Sequence, residues 1–98
     1  MAMTVVVTRN VTERYRGFLL SCMLEIAAGV YTSPRLSAAV RERIWKVCQE
    51  WACDLNPESG IVMTWFDGAS PQKQRVLTIG APPLTLVDYD GFILCRRD

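Results

Sequence analysis

Arg9, Arg14 and Arg16 are the side chains of this 98-residue chain best suited to chemistry. Each guanidinium presents a planar fork of donors that matches the oxygens of a phosphate. Their spacing puts them where a strand gives way to a helix, with Arg14 and Arg16 in or next to the helix's first turn. That end of a helix already carries partial positive charge, so a cation there costs a few tenths to about 1 kcal/mol. A bound anion offsets the cost, because helix N-termini attract phosphate. A local ion pair with Glu13, or plain hydration, settles it equally well. A further basic pair, Arg41 and Arg43, lies near the start of a second helix.

Other chemistries are absent. With no His in the chain, Ser–His and Cys–His nucleophile pairs are excluded, and so is a His-containing zinc set. No phosphate loop and no glycine fingerprint follows a strand. Carboxylates are scattered. Asp88 and Asp90 resemble a metal pair, but an Asp-Gly turn at Asp90-Gly91 is the commoner meaning. The four cysteines form no CxxC. Cys22 and Cys48 fall on apolar helical stripes, which fits reduced, buried thiols and a cytosolic, cytoplasmic protein. Net charge is only +1, which argues against a generic polycation. The charge is polarised, however: residues 1–49 hold seven basic side chains against three acidic, and residues 50–98 hold four against seven.

The elements that must position the arginines follow from periodicity. Met3–Thr8 is β-branched, the pattern of a central strand covered on both faces. Arg9 and Asn10 make the turn. Asn10 suits a helix cap, with Glu13 at capping-box spacing. A helix is expected over Val11–Ala28, with Tyr15, Phe18, Leu19, Cys22, Met23 and Ile26 on one face, ending at Gly29. Val30-Tyr31-Thr32 is a short strand. Ser33-Pro34 announces a second helix, with Val40, Ile44, Val47, Cys48 and Trp51 as its apolar stripe. Ile61–Phe66 and Lys73–Ile79 form a hairpin. Trp65 and Phe66 could stack on bases, but no RNA-recognition signature surrounds them, so core packing is expected for at least one.

This order, β-α-β-α-β-β, gives an α/β (α+β) ferredoxin-like sandwich over residues 1–80. Residues 81–98 form a C-terminal arm after the stiff break at Gly80-Ala81-Pro82-Pro83. The arm either folds back on its own sheet or adds to a neighbour's sheet edge, and the neighbour is favoured. A domain this small gains from burying surface in an oligomer. No signal peptide is expected, and no apolar run approaches the ~18 residues that span a membrane.

Several stretches together are more specific than their parts. Val5-Val6-Val7-Thr8, Asn10-Val11, Arg14-Tyr15-Arg16-Gly17, Leu24-Glu25, Ala28-Gly29-Val30-Tyr31, Arg41-Glu42, Ile44-Trp45, Val62-Met63-Thr64-Trp65 and Val87-Asp88-Tyr89-Asp90-Gly91 resemble the small CRISPR-associated adaptation protein, Cas-two, of the Cascade-linked type I-E subclass. The resemblance implies a ferredoxin-like homodimer acting in spacer acquisition. It implies a DNA-binding subunit that bridges two dimers of the integrase partner, Cas-one, and holds a double-stranded prespacer. Arg14, Arg16 and Arg41 match basic positions that face duplex phosphates, and Arg9 is a further candidate. Many members of the wider family end the first strand with an Asp proposed to hold a divalent metal for phosphodiester cleavage. Here Arg9 and Asn10 stand in its place. An Arg cannot ligate a cation and a neutral Asn is a poor hard-oxygen ligand. No catalytic residue and no cofactor are therefore expected. Magnesium enters only with the alternative function, a metal-dependent endonuclease acting on RNA or DNA. Basic residues usual before the C-terminal arm are also missing at Pro83-Leu84. A ligand-sensing module is a third function that the same fold supports.

Overall fold

The computed structural model describes residues 2–80, 85–89 and 92–96. Strand β1 (Ala2–Arg9) leads into helix α1 (Glu13–Cys22), then β2 (Leu24–Ala27), β3 (Val30–Leu36) and helix α2 (Ala38–Glu50). A short 3-10 turn (Ala52–Asp54) precedes β4 (Gly60–Phe66) and β5 (Gln74–Gly80). Strands β6 (Thr85–Tyr89) and β7 (Phe92–Arg96) follow. The first five strands form one sheet in the order β2-β3-β1-β4-β5, with every neighbouring pair antiparallel. This is the ferredoxin-like arrangement, with an extra edge strand contributed by β5.

Alternation along each strand selects the core. Thr4 and Val6 of β1, Tyr31 of β3, and Ile61 and Met63 of β4 are buried on one face. They meet Tyr15, Leu19 and Met23 from the first helical segment and Ile44, Trp45 and Cys48 from α2. The Tyr15 hydroxyl donates to the Cys48 carbonyl at 2.8 Å, tying the two helices through a satisfied buried group. Burying one such aliphatic or aromatic side chain contributes roughly 1.5–3 kcal/mol.

The opposite face is the more exposed one among the described residues. One row across it runs Leu24, Thr32, Val5, Thr64, Val76; the next runs Ala27, Val30, Val7, Val62, Thr78. Leu24 is 67% exposed and Phe66 64%, with Met3 and Val7 also exposed. So β1 is central, as its composition requires, but among the described residues only one of its faces is fully covered.

Three local expectations are corrected. The first helix ends at Cys22, not Ala28, and Leu24–Ala27 is a strand. Met23 caps the helix, its N–H bonded to the Leu19 carbonyl. Gly29 has a left-handed φ of 77°, but it serves the two-residue turn between β2 and β3 rather than a helix end. The element order is therefore β-α-β-β-α-β-β. Second, Pro34 lies inside β3 instead of starting α2. Pairing with β2 stops at Thr32 and pairing with β1 is irregular beyond Ser33, so a residue without an N–H is tolerated there. The true cap of α2 is Ser37, whose hydroxyl accepts the Val40 N–H at 3.3 Å. Third, Asn10 does not cap α1. It takes a left-handed φ of 54°, and its carbonyl accepts a hydrogen bond from the Ser59 hydroxyl. Thr12 occupies the cap position without a side-chain bond.

The arm expected over residues 81–98 pairs with itself: β6 and β7 form a separate antiparallel two-stranded sheet. The break at 81–84 and the Asp90-Gly91 turn lie outside the described residues. Among the described residues no helix is long and apolar enough to cross a membrane.

Candidate nucleic-acid interface

Three arginines lie at or just after the exit of β1. Arg9 ends the strand opposite Gly60, and it is exposed. The backbone reverses at Asn10 and enters α1, so Arg14 and Arg16 project from the first turns of that helix on its solvent side. Tyr15 between them is fully buried, which fixes the rotation of the helix and the direction of both arginines.

Each is braced differently. The Arg14 guanidinium lies over the indole of Trp51, 3.9 Å from the ring centroid. Trp51 is itself wedged by the rings of Tyr15 and Phe18, both with centroids 5.5 Å away in edge-on geometry. Stacking uses the face of the guanidinium and does not consume donors at its edges. Arg16 donates to Glu25 Oε1 from Nη2 at 3.3 Å and from Nε at 3.4 Å. Its Nη1 stands 3.9 Å from the Glu13 carboxylate, a helix-spaced pair of the kind the sequence allowed. Glu25 Oε2 also accepts the Gly29 N–H at 3.2 Å. That bond to Gly29, together with the Arg16 charge, holds the Glu25 carboxyl below its ordinary pKa. Burial, and then the Glu25 charge, push the neighbouring Tyr31 hydroxyl above its ordinary value.

Glu13, Arg16, Glu25, Gly29 and Tyr31 line a groove of about 580 Å³ between the start of α1 and the β2–β3 turn, together with Thr8 and Asn10. Thr12, at the cap position of α1, also lines this groove and makes no side-chain cap bond.

Arg41 is placed elsewhere. It stacks on Trp65, 4.2 Å from the centroid, and donates to the Leu36 carbonyl at 3.4 Å. Trp65 pairs with Thr4, at the opposite end of the sheet from Arg9 and Gly60. The structure thus brings Arg9, Arg14 and Arg16 to one end and sets Arg41 at the other, near Arg75. Of the two aromatics weighed for stacking, Trp65 packs against the core and Phe66 is exposed. Reasoning from sequence missed Glu25 and the two indole platforms. Glu25 falls inside the stretch that the sequence predicts as helix, and Trp51 is thirty-seven positions from the arginine it supports, with no local signal joining them.

The first strand's exit does not fit a metal. Arg9 is a cation, the Asn10 carbonyl is engaged by Ser59, and among the described residues no group of three or more Cys, Asp or Glu side chains could hold an ion.

Fold and site together define a small ferredoxin-like domain with an arginine-bearing end braced by aromatic rings and a shielded carboxylate. Residues 3–94 match the model of the family described as CRISPR-associated protein (Cas_Cas2CT1978), and the chain belongs to that family. Membership carries a general role in CRISPR adaptation.

Proposed function

We propose that this protein is a non-catalytic, duplex-binding scaffold of the CRISPR spacer-acquisition complex, of the type I-E subclass, working in the cytoplasm. Two copies form a homodimer, which bridges integrase dimers and grips prespacer DNA by its phosphates. The observation that carries this reading is the bracing of Arg14 and Arg16 at one end of the sheet. Both guanidiniums are held before any ligand arrives, so less side-chain freedom is lost on binding. Arg9 extends the same surface. Arg41 makes a separate contact from the far end.

Contacts of this kind position a duplex without reading its sequence. Replacing Arg14 and Arg16 by Ala should therefore weaken binding to unrelated duplexes by the same factor, measured by fluorescence anisotropy. A loss confined to one sequence would oppose the assignment. Nuclease activity is not part of this reading, because the residues at the exit of β1 are unsuited to a divalent ion. Incubation of the purified protein with DNA or RNA, with and without magnesium, should leave both intact. Cleavage abolished by substituting a single carboxylate would establish the endonuclease instead.

A further inference from the structure

Glu25 joins three parts of the basic end. One carboxylate oxygen takes the Nε and Nη2 donors of Arg16, and the other takes the Gly29 N–H. Gly29 is in turn fixed to the last residues of β1: its carbonyl accepts the Thr8 N–H at 2.7 Å and the Thr8 hydroxyl at 3.1 Å. A continuous set of bonds therefore runs from the central strand through the β2–β3 turn to one edge of a guanidinium.

The two acidic partners of Arg16 are not alike. The Glu25 side chain is 16% exposed and anchored, whereas that of Glu13 is 89% exposed and stands 3.9 Å away. An incoming phosphate oxygen displaces the solvated Glu13 from the Nη1 side at little cost. Glu25 is less easily displaced, because two Arg16 donors and the Gly29 N–H hold it while Glu13 has a single long contact.

We infer that Glu25 is a positioning residue: it holds Arg16 by the Nε–Nη2 edge and presents the Nη1 side to a phosphate oxygen. The inference rests on the duplex-binding reading above and adds a carboxylate to it. The competing role is masking, in which Glu25 occupies the guanidinium and lowers affinity. The two roles predict opposite signs.

The test measures affinity for one DNA duplex at fixed salt for the wild type, Glu25→Gln, Glu25→Asp, Arg16→Ala and the Glu25→Gln/Arg16→Ala double variant. Gln retains an oxygen for the Gly29 N–H, and thermal melting followed by circular dichroism checks that the turn survives. Positioning predicts that Glu25→Gln weakens binding about three- to tenfold, the scale of immobilising one long side chain. Glu25→Asp keeps the charge but shortens the reach, so it weakens binding as well. In the Arg16→Ala background the Gln substitution changes affinity less than twofold. Tighter binding by Glu25→Gln, an undiminished loss in the Arg16→Ala background, or wild-type affinity in Glu25→Asp overturns positioning. If Arg16→Ala weakens binding and both Glu25 variants bind like the wild type, positioning alone fails. If Arg16→Ala also binds like the wild type, the assignment of Arg16 to the duplex fails with it.

Discussion

Arginines stack on indoles near both ends of α2: Arg41 over Trp65 near its start and Arg14 over Trp51 at its close. The arginines were legible as candidates from residue type and spacing. Their platforms were not, because each contact joins residues far apart in the chain, and only the assembled sandwich brings them together. The cysteines were easier to read. Cys48, on the apolar stripe of α2, is fully buried, and Cys22 is half-buried on the first helix. Burial, with Cys22 nearby, pushes the Cys48 thiol up to about 11. The thiolate is the reactive form, so Cys48 stays protonated and inert where an exposed thiol reacts. Iodoacetamide at pH 8.5, followed by mass spectrometry, should modify the exposed Cys53 readily and spare Cys48 until denaturant is added. Equal labelling of the two in the native protein would show that the core around Tyr15 and Cys48 is open.

At the scale of elements, the stretch after α1 shows how a pattern can fit two structures. Tyr15, Phe18, Leu19, Cys22 and Met23 have helical spacing and do face the core. Ile26 continues that spacing by coincidence, because residues 24–27 form an edge strand instead. A glycine needed at the end of either element gave no warning. The difference is physical: the sheet requires a strand beside β3, and four residues suffice for it. Gly29 is where the correct reading can be tested. A Cβ there would lie 2.8 Å from the Thr8 carbonyl oxygen, on a backbone of positive φ. Gly29→Ala should cost about 1–3 kcal/mol, the usual scale of such strain. Gly17 is the control. It lies within α1 with nothing within 4 Å of an added Cβ, so Gly17→Ala should stabilise by up to about 1 kcal/mol. Urea titration of both variants checks the pair, and a neutral Gly29→Ala would contradict the tight left-handed turn packed against Thr8.

For the whole molecule, composition and strand order were enough to reach the ferredoxin-like class, while the open sheet face was not foreseen. A β-branched central strand is expected to be covered on both sides, yet among the described residues only one side is fully buried. Exposed Met3, Val7, Leu24 and Phe66 on the other side are what a homodimer would bury. Placing a charge there should separate the copies without unfolding either. Val7→Lys, at the middle of that face, should sediment as a monomer and lose the concentration dependence of its melting temperature. A variant that sediments like the wild type would place any dimer contact elsewhere. Such a dimer carries two copies of the arginine-bearing end at a fixed separation, which is what a scaffold for a duplex requires.

The claim on which this depends is that Arg14 and Arg16 meet phosphates. Salt dependence measures that directly, because each phosphate neutralised contributes about 0.9 to the slope of log affinity against log salt concentration on duplex DNA. Titrating one duplex across a salt series should give a slope for the Arg14→Ala/Arg16→Ala variant that is shallower than the wild type's by about 2 per protomer engaged. Equal slopes and equal affinities would contradict the account.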